Sequence, residues 1–114
     1  MKIASLKKDI QFNHNKPAIQ VLFETQSGKE IRIAFKEGQI MKEHKTPYPI
    51  VVEIHEGDID FGVQGEIHRL KSGDLISLDG GVPHDLKANA QSIVRLSLNA
   101  ADTVNRVENV VKES

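Results

Sequence analysis

Residues Gly73 to His84 read GDLISLDGGVPH, and residues Gly38 to Thr46 read GQIMKEHKT. Each stretch begins at a glycine, alternates apolar and polar residues, and carries a histidine near its end. Such alternation is typical of a strand with one buried face, and glycine allows the backbone angles of sharp turns. The side chains around the two histidines therefore decide between a metal site and a site that binds something else.

Alternation with a period of two continues along most of the chain. The runs Val21–Thr25 and Glu30–Phe35 flank the turn Gln26–Lys29, so they predict a hairpin. Five further strands are predicted, at Ile50–Glu56, Asp58–Val63, Ile67–Leu70, Leu75–Leu78 and Ser92–Leu98. Many short strands with glycine-containing turns predict an all-β fold, either an antiparallel sandwich or a barrel.

The spacing of apolar residues changes near the C-terminus. Four valines from Val104 to Val111 share one face of a predicted helix over residues 102–112, and Asp102 or Thr103 caps it. A short helix rich in valine needs a surface to pack on. We therefore expect it to lie on the barrel or on a partner subunit.

Composition limits the classes of function. The chain has 114 residues and no cysteine, which predicts one domain and excludes disulfides and Cys-ligated metals. Its net charge is −1, with basic residues spread along the chain, so no nucleic-acid partner is expected. Residues Met1–Asp9 lack the apolar region of a signal peptide, and no apolar run is long enough to span a membrane. These features predict a cytoplasmic protein without a membrane partner.

The two glycine-to-histidine stretches resemble the two sequence motifs of the cupin family. Gly73–His84 is similar to the second motif, except that Asp79 stands where the motif usually has proline. Gly38–Gly57, which contains His44, is similar to the first motif as found in small single-domain bacterial cupins. The resemblance implies a double-stranded β-helix, a jelly-roll-like barrel over residues 19–98, within a single domain 1–114.

The first motif departs from the metal-binding pattern. In metal-binding cupins it supplies a second histidine and a glutamate; here Thr46 holds the histidine position, and Ile50 or Val51 holds the glutamate position. Of four expected ligands only His44 and His84 remain, so we expect a divalent transition metal to bind weakly. The hydroxyl of Tyr48 is expected near the barrel rim, where it can orient a ligand. The other histidines, His14, His55 and His68, are expected on the surface or at a subunit interface.

Two classes of function remain open. The first is a binding module that holds a small, mostly apolar molecule between His44 and His84, beside Thr46 and Tyr48. The second is a metal-dependent enzyme of the dioxygenase or isomerase type with an incomplete two-histidine ligand set. The sequence predicts no specific catalytic residue. Because small cupins are often dimers, the resemblance also implies a homodimer.

Overall fold

The fold consists of nine strands and one helix, and a computed structural model describes all residues from 1 to 114. The elements are β1 (Ala18–Glu24), β2 (Gly28–Phe35), β3 (Ile40–His44), β4 (Ile50–Glu56), β5 (Asp58–Val63), β6 (Glu66–Lys71), β7 (Leu75–Leu78), β8 (His84–Ala88), β9 (Ser92–Asn99) and α1 (Val104–Glu113). The strands pair as two antiparallel sheets, β1-β2-β9-β4-β7 and β3-β8-β5-β6. The predicted all-β fold with a short C-terminal helix is confirmed.

Most predicted strands agree with the structure, and β4, β5 and β7 agree at every residue. The first hairpin has a tighter turn than predicted, because β2 begins at Gly28 rather than at Glu30. Two strands that carry the histidines, β3 and β8, were not among those predicted. Each has only five residues, and β3 contains a bulge, so the sequence of the two motifs does not define where these strands begin and end.

The core lies between the two sheets. In β4, Ile50, Val52 and Ile54 are buried, whereas Val51 is exposed, as the predicted alternation requires. These side chains join a cluster of 17 buried apolar residues that runs through both sheets. The inner faces of the strands therefore form a packed interior rather than an open channel.

Helix α1 covers one end of this interior. Val107, Val110 and Val111 belong to the same buried cluster as the strands. The helix begins at Val104, two residues after the predicted start, because Thr103 is the N-cap and its Oγ1 accepts a hydrogen bond from the Arg106 backbone N–H at 3.2 Å. The sequence allowed this valine face to pack either on the barrel or on a partner subunit. It packs on the barrel of its own chain.

The chain has no helix long and apolar enough to pass through a membrane.

Candidate functional site

Strands β3 and β8 bring the two motifs side by side. His44 lies opposite His84 in the register of this antiparallel pair. The loops that lead to them also touch, because the Gly81 N–H donates a hydrogen bond to the Thr46 carbonyl at 2.7 Å. A Cβ on Gly80 would lie 2.2 Å from the Pro47 carbonyl oxygen, so only glycine allows the loops this close.

The imidazole rings of His44 and His84 are in contact. Their centroids lie 4.3 Å apart, and the rings meet edge to face at 61°. Phe61 stacks parallel to His84 with a centroid distance of 5.6 Å. The second histidine is almost fully buried, with 3% of its surface exposed, so its ring orientation is set by packing.

Hydrogen bonds to the backbone determine the tautomer of both rings. His44 Nδ1 donates to the Lys42 carbonyl at 2.7 Å, and His84 Nδ1 donates to the Val82 carbonyl at 2.9 Å. A carbonyl only accepts hydrogen bonds, so Nδ1 carries the proton and Nε2 keeps its lone pair in each neutral ring. Neither Nε2 has a protein partner, and neither is sealed away from small molecules.

Burial keeps both rings neutral at physiological pH. The pKa of His44 is lowered to about 4, mainly by desolvation; the Lys42 carbonyl opposes this effect, and the nearby His84 and Arg106 add to it. Desolvation also lowers the pKa of His84, with Arg106 adding to the effect. The site therefore presents two uncharged nitrogen lone pairs as acceptors or metal ligands.

The cavity beside the two rings is small and mostly apolar. Its volume is about 20 Å³, which is room for about one water molecule. It is lined by Ile33, Met41, His44, Ile50, Val52, His84, Leu86, Val94, Leu96, Arg106 and Val107. No carboxylate lines it, and its polar groups are two imidazoles and one guanidinium.

Thr46 occupies the position of the second histidine of metal-binding cupins, and its side chain serves to attach α1. Its Oγ1 donates a hydrogen bond to Asp102 Oδ2 at 2.7 Å, and both residues are buried. The same carboxylate accepts hydrogen bonds from Arg106 Nε at 2.7 Å and from Nη2 at 2.8 Å. Thr46 and the half-buried Tyr48 do not line the cavity, whereas Ile50 contributes an aliphatic wall.

Met41 and Arg106 are cavity residues that were not among the site residues predicted from the sequence. Met41 faces the interior together with His44, although they are three residues apart, because the pairing of β3 shifts between them. Arg106 lies on the helix that covers the cavity, four residues after its partner Asp102. That spacing is the one signal in the sequence that relates Arg106 to Asp102.

The side chains present do not match the divalent-metal set of the cupin family. The structure contains no group of three or more His, Cys, Asp or Glu residues arranged to hold a metal ion. Glu43, Asp79 and Asp85 are all exposed and leave His44 and His84 without a carboxylate partner. Of the three histidines expected on the surface or at an interface, His14 and His68 are exposed. His55 is half-buried, with its Nδ1 3.3 Å from Glu53 Oε2.

Neither a protein-family model nor a curated protein matches the sequence. Solved structures do match over most of the chain. An RmlC-like cupin from Desulfovibrio desulfuricans has 20% identity and a TM-score of 0.80, with 87% of this chain and 96% of that chain covered. The protein TT1209 from Thermus thermophilus has 23% identity and a TM-score of 0.77, with coverage of 87% and 98%.

A third similar structure is an uncharacterized conserved protein with a double-stranded β-helix domain from Klebsiella pneumoniae. It has 19% identity and a TM-score of 0.75, with 86% of this chain and 88% of that chain covered. At these identities the likeness concerns the fold alone. The chain therefore has the double-stranded β-helix fold of the small single-domain cupins.

Proposed function

We propose that this protein binds a small molecule or ion between His44 and His84 at the covered end of the barrel. The observation that supports the proposal is the pair of free Nε2 atoms beside one apolar cavity. Both rings are oriented by their Nδ1 hydrogen bonds, and both are neutral at pH 7. Side chains held in this way are pre-organised for a ligand.

The chemistry of the cavity limits the ligand. Free Nε2 atoms accept hydrogen bonds or donate a lone pair to a metal, so the ligand must offer a donor group or an empty orbital. Arg106 has one nitrogen, Nη1, without a protein partner, and this nitrogen suits an acceptor on the same ligand. With α1 in place, only a single small group fits into about 20 Å³. A larger ligand inserts its polar head here only if α1 shifts.

A ligand screen on ¹⁵N-labelled protein tests the proposal. We expect long-range ¹H–¹⁵N spectra to show Nε2 shifts for His44 and His84 with a subset of small alcohols, amides, weak acids or metal ions. His84→Ala should weaken that binding at least about tenfold, because one of the two Nε2 contacts is lost. His68→Ala is the matched control, since His68 is exposed on β6. Binding that survives in both His44→Ala and His84→Ala would contradict the proposal.

The metal-dependent enzyme remains the second interpretation of the sequence, and the same protein tests it. Metal content after purification without added metal, followed by titration with Fe(II), Mn(II), Ni(II) and Zn(II), measures whether a divalent ion is held. We expect less than stoichiometric, weak binding, since only two ligands converge. Stoichiometric divalent metal that is lost in His84→Ala would favour the enzyme over the binding module.

We also propose a homodimer that forms through the outer face of the five-stranded sheet. Val51 on β4 and Leu75 on the edge strand β7 are exposed there by 37% and 61%. Exposed apolar side chains beside a strand edge favour association. Light scattering at micromolar concentration should give the mass of two chains, and Leu75→Arg should shift it to one. A monomeric wild-type protein would contradict this proposal.

A further inference from the structure

We propose that the cavity is a Cu(I) site in which His44, His84 and the thioether of Met41 are the ligands. The inference rests on the proposed function, because it takes the histidine pair as the binding site and specifies what binds there. Its new element is Met41, which occupies no position of the cupin metal motifs and belongs to neither predicted ligand set.

The bulge in β3 places Met41 on the same side of the strand as His44. Met41 lies opposite Leu86 and His44 lies opposite His84, so the two register positions are neighbours along β3 and β8. In a regular strand, residues three apart face opposite sides, and the bulge removes that difference. Met41 is 2% exposed and lines the same cavity as both imidazoles. Its three rotatable bonds allow the sulfur to adjust toward an ion.

The set of ligands is neutral and includes one soft ligand, the thioether. It consists of two imidazole nitrogens and one thioether sulfur, with no carboxylate in the cavity. Thioether ligands select Cu(I), whereas Mg(II), Ca(II) and Mn(II) prefer oxygen ligands. Zn(II) takes four ligands in structural sites, which this cavity does not supply. The chemistry of the residues therefore distinguishes Cu(I) from the divalent ions of the cupin family.

The size and charge of the cavity agree with a single monovalent ion. Space for about one water molecule admits only an ion or a single small group while α1 is docked. The guanidinium of Arg106 lines the cavity, and it is paired through two hydrogen bonds with Asp102. Asp102 offsets part of the positive charge of Arg106. The remaining repulsion is half as strong for a monovalent ion as for a divalent ion at the same distance. Apolar walls limit the water that would favour Cu(II).

Anaerobic titration with Cu(I) from a chromophoric chelator tests the site on the full chain. We expect one Cu(I) per chain in the wild type. Met41→Leu, a volume-conserving change that the core tolerates, should weaken the affinity at least about tenfold. His84→Ala should abolish competition with the chelator, and His68→Ala should have no effect. Equal affinities of wild type and Met41→Leu, or Cu(I) retained in His84→Ala, would overturn the inference.

A redox-inert probe separates this inference from the proposed function. Ag(I) should shift the methyl resonance of Met41 together with the Nε2 resonances of His44 and His84. If neither Cu(I) nor Ag(I) binds while another small molecule shifts both Nε2 resonances, the copper site is wrong and the binding function stands. If nothing shifts them, both fail. If Ag(I) shifts the histidines without the methionine, the role of Met41 is overturned.

Discussion

Replacing Asp102 with alanine is expected to lower the free energy of unfolding by about 3 kcal/mol and to release α1 from the barrel. Asp102 is 4% exposed and accepts hydrogen bonds from the Thr46 hydroxyl, the Thr103 backbone N–H and the guanidinium of Arg106. Its removal leaves a buried hydroxyl and a half-buried cation without their acceptor. Removing one partner of a buried ion pair costs about 3–5 kcal/mol, and the lower end applies because Arg106 retains contact with water.

Urea unfolding measures the loss of stability, and amide hydrogen exchange measures the release of the helix. In Asp102→Ala, the amides of α1 should exchange much faster than those of β4 and β9. Glu113→Gln is the control on the same helix. It removes only the ion pair between Glu113 and Lys42, and both of these side chains are largely exposed. It should leave both measurements unchanged within error. Unchanged protection of α1 in Asp102→Ala would show that valine packing alone holds the helix.

Acidification of the metal-free protein from pH 6.5 to pH 4 is expected to remove about 2–3 kcal/mol of stability through His44 alone. The pKa of His44 is lowered to about 4 in the folded protein, and the ordinary value of about 6.5 applies when it is unfolded. Between these values the unfolded chain binds a proton that the folded chain does not, so stability falls as the pH falls. Well below pH 4 both states are protonated, and His44 contributes no further loss.

Comparison of the wild type with His44→Gln isolates this effect. Glutamine is similar in size to histidine and does not ionise. The variant should therefore lose less stability over the same pH range. The carboxylates Glu53, Asp58 and Asp102 also have lowered pKa values, and their contribution is lost as the pH falls toward and below 4. They are present in both proteins and cancel in the difference. Parallel curves for the two proteins would mean that His44 is solvated and titrates normally.

The parts of the fold that follow from local patterns were accessible from the sequence. The alternation of Ile50, Val52 and Ile54 predicted the buried face of β4, and the helical spacing of the C-terminal valines predicted the packed face of α1. Positive φ angles at Gly57 and Gly73, 119° and 92°, confirm the turns expected there. In each case the signal and its cause lie within a few residues of each other.

The candidate site was accessible only in part, because its remaining contacts join distant parts of the chain. Thr46 and Asp102 are separated by 56 residues, so nothing near Thr46 indicates a partner just before α1. The sequence did not mark Met41 as a site residue, since the bulge that turns it toward the histidines forms only when β3 pairs with β8. Arg106, a charged residue on a short terminal helix, has the pattern of a solvated side chain.

The hydrogen bond between Thr46 and Asp102 also makes the full cupin ligand set difficult to restore by mutation. A histidine introduced at position 46 would supply a third imidazole by sequence, but it would displace the hydroxyl that Asp102 needs. Substitutions at residues in direct contact have non-additive effects on stability. The fold would therefore tolerate Thr46→His only together with a change at Asp102. That change would in turn rearrange Arg106, which is bonded to Asp102. The metal-binding ligand set and the docked helix are therefore mutually exclusive uses of one sequence position.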